Sequence, residues 1–138
     1  MNSWDAAAIA NELKARGVEL GKPVSDQQLK QFEAEMALSL DGQVRQIYLK
    51  FNGFMRPDPK SEIFLWPLAR ILESRSMSFE VGQERYFAVG DLLIDSDFIM
   101  CCLQKETSPV VLLYEKRELA PSASAFFQRL ISGNFDFL

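Results

Sequence analysis

The segment 41–54, DGQVRQIYLKFNGF, decides the fold because it contains a helix start, an apolar stripe and a stop. Four apolar residues recur at the spacing of one helical face: Val44, Ile47, Tyr48 and Phe51. Asp41 can cap the first turn, since its carboxylate accepts from backbone N–H groups that lack partners inside the helix. Gly53 can adopt the left-handed conformation that ends a helix. The segment therefore predicts an amphipathic helix that ends at Asn52-Gly53.

Composition indicates a folded protein that stays in water. The 138 residues suit one domain, which we expect to span residues 1–138. No apolar run reaches the roughly 18 residues that cross a bilayer. Asp5 and Glu12 interrupt the N-terminal segment, which is typical of a helix and not of a signal peptide. We therefore expect a cytoplasmic protein that does not bind membranes.

The chain lacks the side chains of common catalytic sites. It contains no histidine, which removes Ser-His-Asp and Cys-His catalysis and histidine-containing zinc sites. Cys101 and Cys102 are adjacent, a spacing that suits neither a disulfide nor a redox or zinc pair, so we expect buried free thiols. Asp91, Asp95 and Asp97 lack the ligand spacing of a calcium loop. We predict no enzyme, no metal and no cofactor.

The first half of the chain reads as helical. An apolar stripe predicts a first helix, capped by Asn2 or Ser3 and ended by Gly17; its members are Ala6, Ile9, Ala10 and Leu13. Ser25 and Gln28 fit a capping box, in which each side chain binds a backbone N–H group of the first turn. The helix that it opens is expected to bury Leu29, Phe32 and Met36.

The second half reads as short strands. Their apolar, β-branched and aromatic content assigns them to residues 63–66, 86–89, 98–103 and 110–114. The last two are expected to form a hairpin. We expect Gly90 to end the second strand, and residues 73–83, which are polar and rich in serine, to form a mobile loop. Residues 68–73 fit one helical turn.

A final helix is predicted from Pro121-Ser122 to Gly133, followed by a tail whose Phe135 and Phe137 dock on the core. Trp4 and Trp66 could anchor a partner, since tryptophan is enriched at binding hot spots, but core packing is the commoner fate and is expected here. Helices first, strands next and one helix last indicate an α+β fold. In such a fold, helices pack against a mostly antiparallel sheet.

The net charge of −4 is concentrated in one segment. Residues 80–104 contain a single basic residue, Arg85, against five acidic ones: Glu80, Glu84, Asp91, Asp95 and Asp97. Such a surface repels nucleic acid and attracts a basic protein partner. A solvated region that its carboxylates keep soluble explains the same charges, and the sequence leaves both interpretations open.

Three segments, in this order, resemble the SUKH superfamily, which includes the fungal cell-wall-assembly-regulator domain and many bacterial immunity proteins. They are IYLKFNGF (47–54), FAVGDLLIDSDFIMCCL (87–103) and SASAFFQRLISGNFD (122–136). One departure is Leu40-Asp41, where the family often has Leu-Pro. The resemblance implies a sheet of about six strands with helices around it, protein binding, and no catalytic residues.

In bacteria, the resemblance implies immunity: the protein binds a cognate toxin, often a nuclease, and blocks its active site. Nucleases are commonly basic, so an acidic surface would speed the encounter. We therefore predict partner contacts by Glu84, Asp91, Asp95 and Asp97, together with the loop residues Phe54, Met55, Arg56 and Asp58.

Two other functions remain open at this point. One is a regulatory or scaffold domain that binds a cellular protein unrelated to any toxin. The other is a small-molecule site, with or without enzymatic activity, in a cleft between the sheet and the helices; a deep pocket with strongly shifted carboxylate pKa values would support it. The sequence leaves the oligomeric state undetermined.

Overall fold

The structure, a computed structural model, describes residues 5–138. Over this range it contains five helices: α1 (Ala6–Ala15), α2 (Asp26–Met36), α3 (Gly42–Lys50), α4 (Leu68–Glu73) and α5 (Ala123–Ser132). The same range contains six strands: β1 (Ile63–Leu65), β2 (Ser78–Val81), β3 (Glu84–Leu92), β4 (Asp97–Cys101), β5 (Val110–Leu112) and β6 (Glu118–Ala120). The predicted α+β fold, with a mostly antiparallel sheet of about six strands between N-terminal helices and a C-terminal helix, is confirmed.

The sheet has the strand order β1-β3-β4-β5-β6. Both β1 and β2 pair with β3, β1 beside residues 90–92 and β2 beside residues 84–87. A bulge between Ala88 and Gly90 shifts the pairing of β3 with β4, and such bulges bend a strand and increase its twist. β3 is therefore the central strand, and its two ends lead into different hairpins.

The helix starts follow the capping residues of the sequence. Ser25 and Gln28 form the predicted capping box, and the Asp41 carboxylate accepts from the Gln43 N–H at 2.8 Å. The first helix is capped by Asp5, whose carboxylate accepts from the Ala8 N–H. The predicted caps Asn2 and Ser3, like Trp4, lie outside the described residues.

The segment 41–54 differs from prediction at its C-terminal end. α3 ends at Lys50, because Phe51 is already extended (φ −160°). Gly53 does adopt a left-handed conformation (φ +69°), and a Cβ there would lie 2.6 Å from the Trp66 carbonyl carbon. The Asn52 side chain accepts from the Leu68 N–H at 2.9 Å. The Asn-Gly pair therefore connects α3 to the start of α4.

Two strand predictions are wrong. β3 does not stop at Gly90; strands pair with it on both sides there, and the missing side chain lets the Phe64 carbonyl oxygen lie 2.7 Å from where a Cβ would be. Residues 73–83 are not a mobile loop, since they contain β2, in which the Phe79 ring stacks on Tyr86 at 5.0 Å. The predicted hairpin of β4 and β5 is confirmed. β6 was not predicted.

Two apolar clusters hold the fold together. One joins α1, α5 and the sheet, and the other joins α2, α4 and the sheet, while α3 contributes side chains to both. Trp66, Cys101 and Cys102 are buried and both thiols are free, as predicted. Phe135 and Phe137 pack against the first cluster. The helices thus pack on the sheet, and the turn between β3 and β4 begins where β3 ends, after Leu92.

Candidate functional site

The structure brings three predicted site residues together at one end of the sheet. Asp91 lies near the end of β3, Asp95 in the turn that follows, and Asp97 at the start of β4. Asp95 is exposed, whereas Asp91 and Asp97 are buried. The expectation that all three lie at the surface is therefore wrong for Asp91 and Asp97. Their carboxylates bind donors of their own chain, because a buried charge is costly unless it is hydrogen-bonded.

Asp97 fixes the segment that follows β5. Its carboxylate oxygens accept from the backbone N–H groups of Tyr114 at 2.7 Å and Glu115 at 3.0 Å. Both bonds connect positions at least 17 residues apart in the chain. Asp97 therefore holds the Tyr114 backbone beside the start of β4.

Asp91 is the centre of a polar cluster between the hairpin and α4. Its carboxylate accepts from the Trp66 indole N–H at 2.8 Å and from the Asp95 N–H at 3.4 Å. The Arg70 guanidinium stacks over the Trp66 ring, 4.3 Å from its centroid. One of its nitrogens lies 3.6 Å from Asp91 and 3.4 Å from Asp95. Arg70 thus ties the turn to α4 through two carboxylates and an aromatic face.

The turn between β3 and β4, residues 93–96, is called the hairpin tip below. Leu93, Ile94 and Asp95 have φ values of 55°, 51° and 65°, in the left-handed region that branched side chains rarely adopt. The Ser96 N–H donates to the Leu92 carbonyl, and the Leu93 N–H donates to the Glu62 carbonyl, each at 3.1 Å. The tip therefore has a defined and sterically unfavourable backbone.

Two aliphatic side chains of the hairpin tip face solvent. Ile94 is 75% exposed and Leu93 is 48% exposed. Tyr114 is 62% exposed and its ring packs edge-on against Phe98 at 5.6 Å, which in turn packs edge-on against Trp66 at 5.9 Å. Because Asp97 links the Tyr114 backbone to the hairpin, these groups share one end of the sheet. We call Leu93, Ile94, Asp95 and Tyr114 the hairpin surface.

Sequence reasoning missed Leu93, Ile94 and Tyr114, because it read this region by its charges alone. A signal was available: an aliphatic pair lies within DLLIDSDF, where a turn between two strands has to be. Turn positions usually carry glycine, asparagine, aspartate, serine or proline. Large aliphatic side chains in a turn are exposed to solvent although the turn does not require them, which is typical of a contact with another molecule.

Glu84 does not belong to this site, since it lies at the opposite end of β3. It lies seven positions before Asp91 in the strand, roughly 23 Å away at about 3.3 Å per residue. Its carboxylate accepts from the Lys105 ammonium at 2.9 Å and the Ser108 hydroxyl at 2.7 Å. These two hydrogen bonds hold the pKa of Glu84 below its ordinary value. The acidic segment 80–104 is therefore divided between two ends of the sheet.

The predicted contact loop is also divided. Met55 and Arg56 are exposed, but Phe54 and Asp58 are buried, so the expectation of surface contacts is wrong for these two. The Phe54 N–H donates to the Leu65 carbonyl at 2.8 Å, which holds Phe54 beside β1 and its ring in the core. Contacts by Met55 and Arg56 stay a prediction.

Asp58 is buried because it organises its own loop. It accepts from the Arg16 guanidinium at 2.6 Å and from the Ser61 hydroxyl at 2.7 Å. Burial by itself would raise the pKa of Asp58, but hydrogen bonds from Ser61 and Lys60 together with the charge of Arg16 hold it below its ordinary value. Asp58 therefore stays ionised and structural.

Within residues 5–138, no group of three or more cysteine, aspartate and glutamate side chains is placed to hold a metal ion.

An apolar cavity of about 40 Å³ lies between α3, α5 and the sheet. It is small beside the roughly 300 Å³ or more of small-molecule sites. It borders Cys101, whose pKa burial raises to about 12. An open groove of about 440 Å³, lined by Phe79, residues 111–113 and Lys116, contains no carboxylate.

Nothing in residues 5–138 forms a helix of the length and apolarity that crossing a bilayer requires. Comparison with curated proteins finds no match. The sequence profile of the SMI1 / KNR4 family (SUKH-1) matches residues 23–129. This range runs from just before α2 into α5 and covers more than half of the chain. The resemblance inferred from the three sequence segments is therefore confirmed, and the chain belongs to the SMI1 / KNR4 family (SUKH-1).

Proposed function

We propose that this chain is a protein-binding domain that acts as an immunity protein and neutralises a cognate bacterial toxin by binding it. Its family supports this proposal, because SUKH-type domains are often immunity proteins. The observation that carries the proposal is the hairpin surface. It presents two aliphatic side chains and one tyrosine to solvent, at a place where the fold gains little from them.

Exposed apolar side chains that lie close together are typical of interaction sites. Tyrosine is enriched at such sites, because its ring buries a large area at a small cost in side-chain entropy. At the hairpin surface, Tyr114 rests edge-on against Phe98 and has a fixed backbone. A partner that covers this surface would therefore bury apolar area without first having to order it.

The charge at this end of the sheet favours a basic partner. Residues 91–97 and the residues hydrogen-bonded or ion-paired to them carry one basic side chain, Arg70, and five acidic ones: Glu62, Asp91, Asp95, Asp97 and Glu115. Arg117 pairs with Glu115 at 2.9 Å. Toxins that cleave nucleic acids need positive surfaces for their substrates. An acidic surface would speed their association and compete for the same positive groups.

The carboxylates of this region support binding over catalysis. Asp91 and Asp97 each accept hydrogen bonds from at least two donors of the chain itself. A general acid or base needs a carboxyl group that can reach a substrate proton. In this arrangement the buried carboxylates shape a surface for another protein, and Asp95 is the aspartate left facing solvent.

Co-expression with a toxin domain tests the proposal. The probe is the protein encoded by the reading frame next to the gene for this chain, which the proposal expects to be a toxin. We expect the chain to restore growth of cells that produce the toxin and to form a stable complex with it on gel filtration. Growth arrest that persists, together with separate elution of the two proteins, would contradict immunity. Co-purification of an unrelated cellular protein would then favour the regulatory alternative.

A further inference from the structure

We infer that the hairpin tip is a preformed anchor, which inserts Leu93 and Ile94 into an apolar pocket with a basic rim on the partner protein, and that Arg70 is the residue that positions it. This inference rests on the proposed function, because it assigns the surface and the chemistry of the same protein–protein contact. It identifies the side chains that enter the partner and the residue that holds them in the binding conformation.

The residue types at the tip do not suit its backbone. A left-handed conformation brings the Cβ of an ordinary residue close to the following carbonyl oxygen, and a branched side chain makes this worse. Ile94 is branched at Cβ and has φ 51°. Being 75% exposed, it regains little of this cost by burial in its own chain. Strained residues that the surroundings hold in place cluster at binding sites, and burial of Ile94 in a partner would supply the missing stabilisation.

The tip is restrained from three sides before any partner arrives. The Glu62 carbonyl holds the Leu93 N–H at the start of the turn, and the Leu92 carbonyl holds the Ser96 N–H at its end. The Asp91 carboxylate holds the Asp95 N–H between them. Binding by a segment that is already ordered loses less conformational entropy, so more of the contact energy appears as affinity.

Arg70 provides the restraint from the side. Its guanidinium lies over the Trp66 ring, with the Phe64 ring centroid 5.5 Å away, while one nitrogen reaches Asp91 and Asp95. Its position is therefore fixed by α4, by aromatic rings and by both ends of the turn. A neutral, unbranched residue at position 70 would keep part of the stacking and lose the tie to the carboxylates.

The partner chemistry follows from the sizes and charges at the tip. Leu93 and Ile94 require an apolar pocket. Two exposed carboxylates are associated with them: Glu62, whose backbone carbonyl accepts from the Leu93 N–H, and Asp95, which follows Ile94 in the chain. A pocket with lysine or arginine side chains at its rim would pair with both.

Two exposed aliphatic residues, one in the hairpin tip and one beside the other hairpin turn, give a matched test. Ile94→Asn replaces a strained aliphatic residue by one that tolerates the left-handed conformation, whereas Val81→Asn changes an aliphatic residue of similar exposure (60%) beside the turn between β2 and β3. Using the neighbouring toxin domain as the probe in calorimetry, we expect Ile94→Asn to weaken binding at least tenfold and to raise the melting temperature. Val81→Asn should change the dissociation constant less than twofold.

Charge is tested separately with Glu62→Lys. We expect this variant to weaken binding of the toxin domain several-fold and to reduce the salt dependence of the dissociation constant. The control is Glu80→Lys in β2, on a different hairpin, which should leave both quantities as they are in the wild-type chain. Equal effects of the two reversals would contradict a basic rim that lies opposite the tip.

A measurement without a partner tests the preformed anchor. In ¹⁵N relaxation, we expect the amides of residues 93–96 to be as ordered as those of β3 and β4, and Arg70→Met to make them mobile while the rest of the sheet keeps its order. Arg70→Lys, which retains the charge, should restore part of that order. A wild-type tip that is as mobile as a free terminus would overturn the anchor, whatever the partner is.

The outcomes separate the two proposals. If the toxin domain binds the wild-type chain and Ile94→Asn equally well, immunity stands and the anchor is wrong. If the toxin domain binds neither protein, immunity is wrong, and so is the assigned pocket chemistry. The relaxation experiment then decides by itself whether the tip is preformed. If only Ile94→Asn loses binding, both proposals are supported.

Discussion

The two hairpin turns at the ends of β3 both reverse the chain through left-handed backbone conformations, but they use different residue types. The turn between β2 and β3 reverses the chain at Gly82, which has φ +63° and open space around it. The turn between β3 and β4 places Leu93, Ile94 and Asp95 in the same region of backbone conformation without any glycine. Glycine adopts positive φ at no steric cost, whereas in other residues the Cβ then lies too close to the following carbonyl oxygen, which costs free energy. Backbone geometry therefore explains the first turn, and the second needs another reason.

The carboxylates near the two turns differ in the same way. Glu84, after the first turn, makes an exposed ion pair with Lys105, of a kind that contributes little to stability. Asp91, before the second turn, is buried and organises Trp66, Arg70 and the Asp95 backbone. The difference teaches that the second turn is held rigid by a dedicated polar cluster, although it also carries the more unfavourable backbone.

Removing the carboxylate of Asp91 should have the largest effect on stability. Asp91→Ala leaves the Trp66 indole N–H without its acceptor and Arg70 with a weaker set of partners, so we expect the free energy of unfolding to fall by about 2–3 kcal/mol. The control, Glu84→Ala, should cost well under half of that. Urea denaturation of both variants measures the difference. Equal losses would show that the two turns are supported alike.

Exchanging residue types between the turns should give effects of opposite sign. Gly82→Ala places a Cβ at φ +63° and should lower the free energy of unfolding by about 1 kcal/mol. Ile94→Asn removes a branched side chain from the same conformation and should raise it by about 1 kcal/mol. Thermal and urea unfolding test both substitutions. A loss of stability in Ile94→Asn would mean that Ile94 stabilises the fold, and the proposed difference between the two turns would then be wrong.

The smallest predicted effect concerns acid. Hydrogen bonds from Lys105 and Ser108 lower the pKa of Glu84, so its contribution to stability is complete above the unfolded pKa near 4.5 and is lost as the pH falls through the lower folded value. Between about pH 5 and pH 3, the wild-type chain should therefore lose more stability than Glu84→Gln. Parallel curves of unfolding free energy against pH for the two proteins would refute this linkage.

Hydrogen bonds between residues close together in the chain could be predicted from the sequence, and hydrogen bonds between distant segments could not. Ser25 and Asp41 cap helices through donors two or three residues away, so their roles follow from spacing. Asp91 and Asp97 find their donors 25 and 17 residues away, and nothing near them in the chain indicates burial. They were accordingly assigned to the surface.

Two further features escaped prediction for related reasons. β2 alternates polar and apolar residues over only four positions, beside the serine-rich stretch that precedes it, and it becomes a strand because β3 pairs with it. The hairpin surface was missed because Gly90 was taken as the end of a strand. β3 in fact continues to Leu92, and only then do Leu93 and Ile94 fall in the exposed turn. Charge alone then directed attention to the aspartates.

The central claim is that a partner protein binds over the turn between β3 and β4. The most direct measurement is amide hydrogen exchange of the chain, free and in complex with the protein encoded by the adjacent reading frame, which the proposed function expects to be its toxin. We predict that complex formation slows exchange at residues 93–96 and around Tyr114, and leaves residues 81–83 unchanged. Protection at residues 81–83 with none at residues 93–96 would contradict the account.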